Sequence, residues 1–202
     1  MEILGKEYVL GSFNITSGAM KVGDPCYSPD TWCLGQIDDV LDGKWKAKTF
    51  IADDSITGWG DRNTALFAFN EVYFENNFGF DDIEVDRFVN GAYENQFLLD
   101  YNIDNRVCVD SGQAGIYDYR NYLNAHDPNK TEEERKDWYF KNGDLTLHGI
   151  NAGIHEDNFG CVSSSGYGDG VYDVYNFYDK DDMTVAVLLL FITNEDEEDI
   201  EE

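Results

Sequence analysis

Four aspartates stand in settings that the chain writes twice. Asp24 follows Phe13-Asn14-Ile15-Thr16-Ser17-Gly18 and Val22-Gly23, and Asp118 follows Val107-Cys108-Val109-Asp110-Ser111-Gly112 and Ile116-Tyr117. Asp61 closes Gly58-Trp59-Gly60-Asp61, and Asp169 closes Gly166-Tyr167-Gly168-Asp169. Carboxylates gathered near a pseudo-twofold axis would repel one another and so demand a cation or a raised pKa. That arrangement would suit metal-assisted hydrolysis or paired acid–base work. Held apart, the same residues cap turns. Within the second loop, Asp169 and Asp173 are the candidate oxygen ligands for calcium or magnesium, while a hairpin turn with an aromatic lid explains the same residues without a metal.

Aromatics and polar groups beside these aspartates are the candidate binding residues: Tyr27, Trp59, Asp110, Ser111, Gln113, Tyr167 and Tyr172. Other chemistries lack their patterns. No Gly-x-Ser-x-Gly elbow surrounds Ser17, Ser111 or Ser165, which disfavours a serine hydrolase. Cys26, Cys33, Cys108 and Cys161 lack paired Cys-x-x-Cys spacing, and the three histidines fall in no recognisable pairing. No Walker loop, dinucleotide fingerprint or His-Glu-x-x-His occurs.

Composition sets the physical class. A hydrophobic content of 42% with 15% aromatics is enough for a folded core and argues against disorder. The net charge of −27 repels nucleic-acid phosphate and favours solubility, cations or a basic protein partner. Residues 194–202 form an acidic run expected to be a disordered tail. No apolar stretch is long enough to span a bilayer and no leader precedes the first strand, so the expected setting is cytoplasmic, with reduced thiols and no membrane.

The elements that must position these residues are mostly strands. Alternating patterns predict strands over 8–16, 45–52, 64–74, 97–101, 105–110, 145–150, 159–163, 171–178 and 183–193. The last is apolar almost throughout and is expected to be central. Ser28-Pro29 reads as a helix start with helical spacing to Leu41, and Thr131-Glu132-Glu133-Glu134 reads as a capping box for a helix ending at Asn142-Gly143. A further short helix is expected near Ile116–Leu123, and Ile83, Val85, Phe88 and Val89 fit either a short helix or an irregular strand. The duplication extends to layout, with Leu66–Phe69 matched to Val174–Phe177. The expected fold is mainly β (β-rich α+β), with two duplicated halves packed as a sheet or sandwich-like core and two or three short helices. Residues 1–193 are read as a single domain of two repeats, 8–75 and 97–178 plus the final strand.

Val22-Gly23-Asp24-Pro25-Cys26-Tyr27, Val109-Asp110-Ser111-Gly112-Gln113-Ala114-Gly115-Ile116 and Ser164-Ser165-Gly166-Tyr167-Gly168-Asp169-Gly170-Val171-Tyr172 resemble the signature blocks of the family called domain of unknown function 4241. Its members occur in bacteria and their phages. The resemblance implies a β-rich cytoplasmic protein and brings no catalytic residues; Arg62 stands where glycine would suit after Asp61. The expectation for function is a non-enzymatic acidic protein, phage-encoded, that binds or inhibits a basic partner in an immunity or anti-defence role. A metal-dependent hydrolase or ligand-binding protein and a structural phage component are the alternatives.

Overall fold

The computed structural model describes residues 2–33, 35–79, 82–90 and 101–193. Its elements run β1 (Lys6–Ile15), β2 (Met20–Gly23), β3 (Gly35–Ile37), β4 (Gly43–Ala52), α1 (Asp54–Thr57), β5 (Arg62–Asn70), α2 (Glu71–Phe78) and α3 (Val85–Val89). They continue with β6 (Tyr101–Val109), β7 (Gln113–Asp118), α4 (Tyr119–Ala125), α5 (Glu132–Leu147), β8 (Ala152–Ile154), β9 (Gly160–Ser164), β10 (Gly170–Tyr178) and β11 (Thr184–Leu190). The expected strand at 97–100 and the acidic tail lie outside the described residues.

The strands form two antiparallel sheets, ordered β1-β4-β5-β11-β10-β6 and β3-β2-β7-β9-β8. Alternation along each strand assigns side chains to layers. Leu66 and Ala68 of β5 join Phe13, Trp45, Val22 and Ile116 in the core between the sheets. Phe67 and Phe69 point the other way, into a second cluster with Phe74 of α2 and Phe88 of α3. A third cluster, Tyr117, Tyr122, Trp138 and Val162, lies between the smaller sheet and α4/α5. The result is four layers: helices, six strands, five strands, helices. β11 is buried at every position and sits inside the larger sheet, as its apolar run predicts.

The larger sheet reads the same from both ends once β6, β10 and β11 are counted as the second half's β1, β4 and β5. Register supports this equivalence. Phe13 pairs with Trp45 as Val107 pairs with Tyr172, and a bulge follows Phe50 of β4 as one follows Phe177 of β10. In the smaller sheet Val22 pairs directly with Ile116, its own counterpart in the repeat. A pseudo-twofold axis therefore passes between β2 and β7, and between β5 and β11. The counterpart of β5 is β11, so the match of Leu66–Phe69 to Val174–Phe177 is corrected by topology.

Several boundaries differ from the pattern, each for a local reason. The helix expected from Ser28 is instead a series of turns, with Tyr27 N–H donating to the Asp24 carbonyl and Thr31 N–H to that of Ser28. Its apolar residues do not share a face: Ile37 pairs with Met20 in the sheet while Trp32 is 88% exposed. β5 stops at Asn70, whose side chain accepts the Tyr73 N–H and caps α2. The capping box at Thr131 forms as expected, but α5 runs on through Gly143 to Leu147, replacing the strand expected at 145–150. Asn142 anchors that continuation, accepting the Tyr117 hydroxyl at 2.7 Å and donating to the Trp138 carbonyl. Ile83 precedes α3 and the other three of its group lie within it. The described residues hold five helices rather than two or three, the additions being short helices beside β5 and the loops that flank it.

Candidate binding cleft between the glycine loops

The two repeated aspartates occupy opposite ends of the β2–β7 pair. Asp118 stands across from Met20, whereas Asp24 follows Gly23, which pairs with Gly115. Both are fully buried. Each reaches into the other half. Asp24 accepts from the backbone N–H groups of Asp110 (2.9 Å) and Ser111 (2.8 Å), from the Ser111 hydroxyl (2.8 Å) and from Cys26 N–H (2.8 Å). Asp118 accepts from Thr16 N–H (2.7 Å), from the Ser17 hydroxyl (2.9 Å) and from the backbone and side-chain amides of Asn121. The turns they grip end in Gly18 and Gly112, at φ of 66° and 70°, a conformation that favours glycine. Ser-Gly and Asp are thus two parts of one clasp, made twice in exchange across the axis.

The two glycine loops are not equivalent. Gly58–Asp61 lies between β4 and β5, and Gly166–Asp169 between β9 and β10. They nonetheless meet: the Tyr167 hydroxyl donates to the Thr57 carbonyl at 3.2 Å. Between them opens a cleft of about 390 Å³, lined by Asp61, Arg62, Ser111, Gln113, Thr146, Leu147, Asn151 and Tyr167 among others. The floor is rigid. Tyr172 is buried beneath the second loop and donates to the carbonyls of Ser165 (2.9 Å) and Gly168 (2.7 Å). Gln113 accepts from the Thr146 hydroxyl and faces the Cys26 sulfur at 3.8 Å. Arg62 Nε is buried there without a hydrogen-bond partner.

The structure sorts the sequence candidates accordingly. Asp61, Ser111, Gln113 and Tyr167 line the cleft, Asp110 and Asp169 border it as chain neighbours of lining residues, and Trp59 stands two residues before Asp61 in the first glycine loop. Asp24 lies behind Ser111 as its clasp. Tyr27 is half-buried, its carbonyl accepting the Tyr122 hydroxyl at 2.7 Å; burial, with Asp110 and Asp24 nearby, pushes its phenol up. Asp118 belongs to the other end of the seam. The suggested metal ligands do not form a cage: Asp173 is paired with Arg106 at 2.9 Å and Asp169 is exposed. Among the described residues no three His, Cys, Asp or Glu side chains gather to hold a metal ion. Arg62, Thr146, Leu147 and Asn151 were not legible as lining residues; Arg62 alone carried a signal, as the break in the glycine pattern.

The protein matches the model of a family described as protein of unknown function (DUF4241) over residues 13–189. The chain belongs to the DUF4241 family. No curated protein and no solved structure matches it. In this DUF4241 protein the match spans both clasps and both glycine loops, so the family's sequence signal includes the scaffold and the cleft together.

A second cleft of about 470 Å³ lies at the Asp118 end, against α4 and α5, and includes Asn14, Thr16, Asn121, Trp138, His155 and Phe159. Trp138 and Phe159 stack at 5.8 Å with 5° between their planes. His155 is 1% exposed; Asp157 N–H donates to its Nδ1 at 3.4 Å, and its Nε2 has no partner. Burial lowers its pKa, so the 3.8 Å approach to the Asp157 carboxylate is not an ion pair at neutral pH. No helix among the described residues is long and apolar enough to cross a membrane.

Proposed function

We propose that this DUF4241 protein is a non-enzymatic interaction protein that binds a basic protein partner through the face between the glycine loops. The observation that carries the reading is the pairing of exposed apolar anchors with unpaired acids at one place. Trp59 is 65% exposed, Tyr167 43% and Leu147 74%, around a cleft with Asp61 in its wall and Asp110 and Asp169 at its margin. Aromatic side chains that offer area at small entropic cost, ringed by carboxylates, suit a partner bearing lysine or arginine beside apolar residues. The net charge of −27 adds long-range steering of a cationic protein.

The repeated carboxylates also favour binding over chemistry. Asp24 and Asp118 commit their oxygens to turn donors, and no histidine lines the glycine-loop cleft to activate Ser111. Inhibition of a basic enzyme in the cytosol is the form of the role that this surface serves best.

The test is affinity capture on the immobilised chain, read by mass spectrometry, with Trp59→Ala and Asp61→Lys as comparators. A basic protein retained by the natural chain is expected to bind about 30-fold more weakly to Trp59→Ala, the loss typical of an aromatic hot spot. Its association is expected to slow as salt rises. Equal capture by both variants, or capture of acidic proteins only, would overturn the reading.

A further inference from the structure

The four cysteines are scattered in the sequence, but the fold brings two of them together. Cys108 N–H donates to the Cys33 carbonyl at 3.0 Å, and after burial the neighbouring Cys33 side chain is what acts most on the Cys108 thiol. The adjoining residues are equally close: a Cβ on Gly35 would stand 3.1 Å from Cγ1 of Val107. A disulfide requires neighbouring backbones with side chains turned toward each other. The backbone bond supplies the first condition, and the influence of the Cys33 side chain on the Cys108 thiol supports the second. The other two cysteines are placed differently. Cys161 is fully buried, and Cys26 faces the Gln113 amide rather than the pair.

We infer that Cys33 and Cys108 form a reversible disulfide that staples the two halves of the molecule. Cys33 belongs to the link between β2 and β3, and Cys108 to β6, so the bond would cross the seam beside the Asp24 clasp on Asp110 and Ser111. With hydrogen peroxide as oxidant the step balances. Cys108 is half-buried and meets the oxidant first. Its thiolate attacks one peroxide oxygen, the O–O bond breaks, and a sulfenic acid and hydroxide result. The Cys33 sulfur then displaces the sulfenic oxygen, which leaves as water, and the S–S bond forms. Two electrons and two thiol protons pass to the peroxide, giving two waters. Burial, followed by the neighbouring Cys33, pushes the Cys108 thiol up, so thiolate is scarce at neutral pH and the reaction accelerates in alkali.

The experiment treats the full chain with hydrogen peroxide, blocks remaining thiols by alkylation in denaturant, and reads intact mass and linked peptides. The expected result is loss of two hydrogens, protection of two of the four thiols, and a single linked pair joining Cys33 to Cys108. Dithiothreitol is expected to restore four reactive thiols, and the rate to climb about 30-fold between about pH 7 and about pH 8.5, since thiolate grows about tenfold per pH unit below the thiol's pKa. Cys26→Ser, which leaves the pair untouched, is expected to form the same link. Four thiols still open to alkylation, a link through Cys26, or bonds only between separate chains would overturn the inference.

Discussion

The two halves share their strands and differ most in one connection. In the first, residues 24–33 lead from β2 towards β3 by turns; in the second, residues 119–159 carry the chain from β7 to β9 through α4, α5 and β8. That difference places the clefts. Gly143, Thr146 and Leu147 of α5 wall the glycine-loop cleft, while Glu134, Trp138 and Lys141 of the same helix wall the cleft of His155. Repetition therefore built the scaffold, and the segment that has no counterpart walls both of these clefts.

The clasps allow the sharpest contrast between the halves. Asp118 grips Thr16 and Ser17 and also caps α4 through Asn121, whereas Asp24 grips Asp110 and Ser111 and its own turn at Cys26. Removing either carboxylate leaves buried N–H donors without acceptors, at about 1–3 kcal/mol for each such group. Asp118→Ala is expected to lower stability by about 4 kcal/mol and Asp24→Ala by about 3, the difference being the helix cap. Denaturant titration measures both. A loss below about 1 kcal/mol for either would mean that the repeated aspartate is not a clasp.

A smaller effect belongs to the inserted segment alone. His126 follows α4, packs on Tyr122 at 4.5 Å, and has its pKa pushed down to about 4, chiefly by burial. Above about pH 6.5 the ring is neutral folded or unfolded, and its contribution is constant. As pH falls from about 6.5 towards 4, the unfolded chain takes up the proton and the folded chain does not, so stability is lost. The natural chain is expected to lose about 2 kcal/mol through this group by about pH 4. His126→Phe should flatten that part of the pH profile in thermal melts while leaving the first-half strands unaffected.

Much of this was legible in the residues. The common Ser-to-Asp spacing exposed the repeat, the apolar run of β11 announced a central strand, and Thr131 with Glu134 announced α5. What failed did so for tertiary reasons. Gly58–Asp61 and Gly166–Asp169 look alike because both are tight turns, yet they join different strand pairs, which local spacing does not encode. The segment after Ser28 has helical spacing, but pairing of Ile37 with Met20 overrides it. The destination of each aspartate lay beyond sequence pattern altogether, since the donors come from the opposite half.

That exchange is tested most directly by amide hydrogen exchange at Thr16 and Ser111 in Asp24→Asn and Asp118→Asn. Asp24→Asn is expected to speed exchange at Ser111 in the second half and leave Thr16 protected; Asp118→Asn is expected to expose Thr16 in the first half and leave Ser111 protected. Loss of protection confined to each aspartate's own half, or none at either amide, would contradict the reciprocal clasp.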